Sequence, residues 1–107
     1  MENYNVIYSP EAASDLRSVY SYIAFTLKEP DTAKNLADKI RAEIRKLDRQ
    51  PERYAPVDWE PWQSMGMRKL PVGNYVVFYW ADTENKEVNI TRIFYGGRDI
   101  ENIVSKK

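Results

Sequence analysis

The chain has 107 residues, with 16 Lys and Arg balanced by 16 Asp and Glu, and it contains no His and no Cys. That length suits one domain spanning 1–107, and 43% hydrophobic with 30% charged residues is globular rather than disordered composition. The missing His and Cys exclude disulfides, Cys- or His-ligated zinc, Ser-His-Asp and Cys-His catalysis and any His general base, while the even charge argues against a bulk polybasic nucleic-acid binder.

Tyr4-Asn5-Val6-Ile7-Tyr8 reads as a short strand, rich in aromatic and β-branched residues. Ser9-Pro10-Glu11 then reads as a helix start: Ser9 caps orphan N–H groups, Pro10 suits the first helical position and Glu11 favours the positive end. Ala12, Leu16, Val19, Tyr20, Ile23 and Leu27 recur at helical spacing and predict the buried face. Lys28-Glu29-Pro30-Asp31 interrupts the pattern. A second helix begins near Pro30 or Asp31, with an apolar stripe of Ala33, Leu36, Ala37, Ile40, Ile44 and Leu47, and ends before Pro51. Its other face is strongly basic. Pairs such as Lys39–Glu43 at i,i+4 make that face read as ordinary solvent exposure. So short a connection predicts an antiparallel helical hairpin.

Residues 51–65 hold three prolines with Trp59 and Trp62 and read as an irregular connection. It either closes the bottom of the core or contributes to a partner contact. Beyond residue 66 the period changes to two: Met67–Leu70, Tyr75–Ala81 and Val88–Tyr95 are expected strands, joined by turns at 71–74 and 82–87. Gly96-Gly97 ends the last of them, and Arg98 to Val104 suggests a short terminal helix. The fold class is therefore α+β: a helical hairpin packed on a small, mainly antiparallel four-stranded sheet, in the order β-α-α-β-β-β with a short C-terminal helix. Helices on one side leave the other sheet face free, and aromatics exposed there would mark an interaction surface.

Several of these segments resemble the RelE/ParE toxin superfamily. The opening Tyr-x-Val-x-Tyr-Ser-Pro-x-Ala-x-x-Asp-Leu (Tyr4 to Leu16) is similar to its first motif. Tyr22-Ile23-Ala24, Ala33 with Ile40, and Leu47-x-x-x-Pro51 fit its helices. Arg68-Lys69-Leu70, Asn74 to Tyr79 and Val88 to Asp99 resemble its sheet. The likeness runs from Tyr4 to about Ile103 and rests on the order and spacing of motifs that are individually weak. It implies a sheet with the first strand at the edge beside the second. It also implies a toxin of a bacterial type II toxin–antitoxin module, the class that includes plasmid stabilisation proteins, neutralised by a co-encoded antitoxin that wraps around it. The free sheet face and the helical hairpin would be the antitoxin-binding surface.

The superfamily divides by activity. RelE-like members cut mRNA on the ribosome, ParE-like members poison DNA gyrase, and some are inert. Cleavage through a 2′-hydroxyl needs a proton acceptor, a proton donor and positive charge on the phosphate. RelE-like toxins supply these with Lys, Arg and Tyr, so the lack of His does not exclude the reaction. By position, Arg98, Arg68 and Lys69 are the catalytic candidates if the chain is RelE-like. The bland alternatives are a surface ion pair or helix cap for Arg98 and a solvated strand face for Arg68 and Lys69. Two expected parts are replaced: Val76 stands where those enzymes carry an Arg, and Val104 where they carry a tail Tyr. Tyr79 or Tyr95 could substitute only by pointing into the same cleft. Arg92, inside a strand between Ile90 and Phe94, reads as a structural ion pair to the helical hairpin.

No metal or cofactor is expected, since the acidic residues lack ligand spacing and Gly96-Gly97 is too short for a phosphate loop. A polar start, MENYNVIYSP, and apolar runs no longer than Tyr75–Ala81 suggest no signal peptide, no membrane span and a cytoplasmic protein. The partners implied are the antitoxin and either gyrase or the ribosome with mRNA. Net zero charge hides a basic second helix and second strand set against an acidic start and connection. It favours a protein target over the phosphate-dense ribosome.

Overall fold

The computed structural model describes residues 3–97 and 99–105. β1 (Asn5–Tyr8) leads into α1 (Pro10–Ser21), which continues through a π-helical turn at Tyr22–Thr26; α2 (Pro30–Arg45) runs into a 3-10 turn at Lys46–Asp48. β2 (Arg68–Val72), β3 (Tyr75–Asp82), β4 (Glu87–Tyr95) and α3 (Ile100–Ser105) follow the Pro/Trp-rich connection. This is the expected order, and the α+β class with a helical hairpin on a four-stranded sheet is what forms.

The helix start reads as the sequence dictates. The Ala12 N–H donates to Ser9 Oγ at 2.9 Å, and Pro10 occupies the first turn where its missing N–H costs nothing. The end of the first helix departs from its 3.6 period. The π turn fits one extra residue into the helix, so Ile23 and Ala24 are both buried while Leu27 swings out to 51% exposure. Tyr20 is likewise exposed, so of the expected buried face Ala12, Leu16 and Ile23 are buried and Val19 partly so. Lys28 then takes a left-handed φ of 58°, and the Glu29 N–H closes back onto the Ile23 carbonyl at 2.9 Å. The α2 stripe packs as expected, with Ala33, Ala37, Ile40, Ile44 and Leu47 buried. On its solvent face Glu43 is engaged by Lys46 at 3.0 Å rather than by Lys39, and Lys34 pairs with Asp38 at 2.9 Å.

The sheet order is β1-β4-β3-β2. β1 lies at the edge, but beside β4 and parallel to it, not beside β2. The reason is geometric. Residues 49–67 carry the chain from the end of α2 to the opposite side of the sheet, and the antiparallel β2–β3–β4 meander walks back until β4 meets β1. A two-residue turn joins β2 to β3, with Gly73 at φ 59° supplying the left-handed position.

One register shift organises the two faces. Phe78 faces Arg92 while Tyr79 faces Ile90, which leaves Thr91 as an unpaired bulge. Before the bulge Val88 and Ile90 point to the helices; after it Ile93 does so, while Phe94 joins Phe78 on the other face. Arg92 and Phe94 therefore share a face, with the guanidinium 4.4 Å from the ring centre, but Ile90 does not share it. The main core lies between hairpin and sheet and includes Leu16, Ile40, Ile44, Leu70, Val77, Tyr79, Val88 and Ile90. The opposite face is not free. Val57, Trp62 and Met67 from the connection cover Phe78 and Phe94, with Trp59, Ile100, Ile103 and Val104 packed around them. A helix-free sheet face this aromatic would expose too much apolar surface, and the connection and α3 remove it from water.

Candidate functional site

The opening motif turns out to be one structural device. β1 pairs with β4 only as far as Tyr8↔Ile90, so the next stretch of β4 edge needs other partners. Ser9 takes over: its N–H donates to the Ile90 carbonyl and its Oγ to the Thr91 carbonyl, both at 2.9 Å. One turn into α1, Asp15 accepts the Ile93 N–H at 2.9 Å and two bonds from Arg92, from Nε at 2.7 Å and Nη2 at 3.1 Å. Those hydrogen bonds hold the Arg92 guanidinium still more firmly protonated than usual. Arg92 is thus the ion pair to the hairpin that its apolar strand demanded, and it is not available as a catalytic cation.

Val76 and Val104, where the resemblance expects an Arg and a Tyr, lie on the second sheet face. Both pack against the same cluster, whose centre is Trp62, Phe78 and Phe94. Trp62 lies 4.8 Å from Phe78 and 5.1 Å from Trp59, and Phe78 lies 6.2 Å from Phe94, centre to centre. These distances are those of favourable offset and edge contacts. Trp59 and Trp62, without an assigned role on sequence grounds, are the lid of this cluster.

Adjacent residues on a strand point to opposite faces, and this separates two of the candidates. Arg68 sits on the Tyr79 side, half-buried, with Nη1 donating to the Tyr54 carbonyl at 2.6 Å. Lys69 is exposed and belongs to the face of Met67 and Phe78. Arg98 lies outside the described residues. Just before it, the Gly96 N–H donates to the Asn74 carbonyl at 2.7 Å, so the end of β4 is tied to the β2–β3 turn. Tyr79 cannot substitute as a catalytic phenol. It is fully buried, donates to the Pro51 carbonyl at 2.6 Å, and burial pushes its pKa up to about 12. Tyr95 is exposed, but it points to a different place.

That place is an open groove of about 610 Å³ between the tip of the hairpin and the turn end of the sheet. Val19, Tyr22, Ile23, Leu27 and Leu36 line it from the helices, and Asn74, Tyr75 and Tyr95 from the strands. Tyr75 and Tyr95 meet edge to face at 5.6 Å. Burial, with Tyr95 and Tyr22 beside it, pushes the Tyr75 phenol above its ordinary value. Tyr22, which lines the groove, is 54% exposed, and Phe25 in the same π turn is 73% exposed. Large exposed side chains of this kind, next to an apolar hollow, suit a partner's apolar face. Sequence reasoning missed this site because it assumed an uninterrupted helix through Leu27. The legible signal was a β-branched and aromatic run, Tyr22 to Leu27, just before a helix end.

Among the described residues no group of three His, Cys, Asp or Glu is placed to hold a metal, and no helix is long and apolar enough to cross a membrane. Comparison with solved structures finds the same fold repeatedly. A chain of the chromosomal ParDE toxin–antitoxin system from P. aeruginosa superposes with a TM-score of 0.70 at 22% identity, over 86% of this chain and 95% of that one. A chain of the toxin–antitoxin complex RelBE2 from Mycobacterium tuberculosis gives 0.60 at 23% identity, over 87% and 98%. A chain of the archaeal RelE–RelB complex from Pyrococcus horikoshii gives 0.60 at 16%, over 90% and 98%. No curated protein sequence matches the chain. The family model for the ParE toxin of the type II toxin–antitoxin system, parDE, matches residues 6–100, which take in the Ser9–Asp15 device, the hairpin and all of the sheet except Asn5. On that match the chain belongs to the ParE toxin family of type II toxin–antitoxin systems.

Proposed function

We propose that this toxin acts by binding proteins, as a ParE-like inhibitor of DNA gyrase held in check by a co-encoded antitoxin, in the cytoplasm. The observation that carries the reading is the apolar environment of Val76 and Val104. Both pack against the Trp62–Phe78–Phe94 cluster, at the two positions where a RelE-like nuclease carries an Arg and a Tyr. A proton donor and a phosphate-binding cation are thereby replaced by hydrocarbon. The opposite orientations of Arg68 and Lys69 support the same reading, because a single scissile phosphate could not meet both. The groove at the hairpin tip is the proposed seat of the antitoxin. Its apolar lining and the exposed Tyr22, Phe25 and Leu27 support this.

Induced expression tests the mechanism. The expected result is growth arrest with a DNA-damage response, loss of negative supercoiling in a resident plasmid, and intact mRNA. The RelE-like alternative, with Arg98, Arg68 and Lys69 as its catalytic residues, requires cleaved mRNA and a rapid halt in translation. It also requires that Arg98→Ala and Lys69→Ala abolish toxicity. Well-expressed protein without any growth defect would leave only an inactive, antitoxin-binding toxin fold.

A further inference from the structure

We propose that the open edge of β1, with the arginines beside it, is a docking site for an extended acidic segment of a protein partner. This rests on the reading above that the chain works through proteins, and it names a second surface remote in sequence from the hairpin-tip groove.

The two edges of the sheet are treated differently. The β2 edge is closed: the Val57 N–H donates to the Met67 carbonyl at 2.8 Å, the Lys69 N–H donates to the Ala55 carbonyl at 3.0 Å, and Pro71 removes a further donor. β1 has β4 on one side; on the other, the Asp48 carbonyl takes the Tyr4 N–H at 2.9 Å just before the strand, and no strand pairs with Val6–Tyr8. The N–H groups of Asn5 and Ser9 point to β4, donating to the Lys86 and Ile90 carbonyls. By strand alternation Val6 and Tyr8 aim their backbone groups outward. Edge strands are usually blunted by Lys, Pro or a bulge, and Asn5-Val6-Ile7-Tyr8 carries none of these. Ile7 is 41% exposed, an apolar side chain on the far face of an open edge.

Beside this edge lie Arg41 and Arg45, one turn apart on α2, and past the end of α2 the chain adds Arg49 and Arg53; all four are exposed. Arg41 and Arg45 flank a hollow of about 230 Å³ floored by Val6, Tyr8 and Ile44. Arg45 also borders a second hollow of about 460 Å³, which Arg49, Arg53 and Lys46 line and where Asp48 is the sole carboxylate. Arg41 shares Asp38 at 3.6 Å with Lys34, whereas Arg45 and Arg49 have no carboxylate partner among the described residues. Two arginines one helical turn apart are separated by about 6 Å along the axis. Alternate residues of a strand are about 6.6 Å apart. A segment added to β1 would therefore turn every second side chain toward Arg41 and Arg45 and the others toward Ile7. Acidic residues at the first set and apolar residues at the second fit both faces. A nucleic acid would leave the outward amides of Val6 and Tyr8 unpaired and would have no exposed apolar role for Ile7.

The test uses the full chain and a capped, fluorescein-labelled octapeptide of alternating Glu and Val. Saturable binding is expected, with hydrogen exchange of the Val6 and Tyr8 amides slowed and that of Tyr22–Thr26 unchanged. Arg41→Glu with Arg45→Glu should weaken binding at least tenfold, and Arg41→Gln with Arg45→Gln several-fold, with unchanged circular dichroism. Alternate N-methylation of the peptide, or Lys for Glu, should weaken it at least tenfold. No saturable binding overturns the proposal. So does equal binding of the N-methylated peptide, which would mean charge attraction without strand addition. Tighter, Arg45-dependent binding of an octauridylate would overturn it in favour of RNA. Any of these failures with gyrase poisoning intact removes only this site, whereas cleaved mRNA in the expression assay removes the reading it rests on.

Discussion

Asp15 shows how much one carboxylate can carry in a fold this small. It terminates the exposed edge of β4 by accepting the Ile93 N–H, and it neutralises Arg92 in a partly buried pair. Replacing it with Ala leaves a guanidinium and a backbone donor without their acceptor, which costs about 2–4 kcal/mol. Urea denaturation of Asp15→Ala should show a loss in that range, with Asp15→Asn intermediate because it keeps one acceptor. Tyr79 gives a pH signature. Its folded pKa of about 12 lies above the ordinary phenol value of 10.0. Between those values the unfolded chain has lost a proton that the folded chain keeps, so stability falls as pH rises from about 10. Tyr8 and Tyr75 are shifted upward as well and act in the same sense. Tyr79→Phe should lower stability at pH 7 by about 1–2 kcal/mol through the orphaned Pro51 carbonyl, and should make the alkaline decline shallower. Stability curves at pH 8, 10 and 11.5 would check both. At this scale the sequence was informative about type but not partner. A charged Arg92 among apolar strand neighbours needs a counter-ion, but only parallel pairing of β1 with β4 brings Asp15 to it.

Among the elements, the connection at residues 51–65 and the end of the first helix contain what pattern reading could not supply. Trp62 is buried against Phe78, whereas Phe25 stands in water. Trp62→Ala should therefore cost about 3–5 kcal/mol through lost burial and the cavity left behind. Phe25→Ser should stay within about 0.5 kcal/mol of the parent. Thermal and urea unfolding of the two variants compares them directly, and similar losses would mean that the hairpin tip is part of the core. The helices and three later strands were legible because amphipathic period and capping are local properties. The π turn was not, since one extra residue per turn leaves no compositional mark. The Thr91 bulge was equally silent, although it decides that Ile90 and Phe94 lie on opposite faces.

At the level of the whole molecule, both sheet faces are covered, one by the hairpin and the other by the connection and α3, and the proposed protein contacts fall at the hairpin-tip groove and the β1 edge. On the proposed reading, Tyr22→Asp with Phe25→Asp should leave the fold and the toxicity in place while raising the antitoxin dose needed for rescue at least tenfold. Co-expression at graded antitoxin levels measures this. Undiminished rescue would put the antitoxin elsewhere on the surface. The sequence by itself determined the fold class, the order of elements, the hairpin stripe and the absence of His- and Cys-based chemistry, because each follows from local period, capping or composition. Only the tertiary structure decided the neighbour of β1, the coverage of the second face by tryptophans and α3, and the separation of Arg68 from Lys69. Those depend on how the connection crosses the sheet and on strand register, which are long-range properties with no local signature.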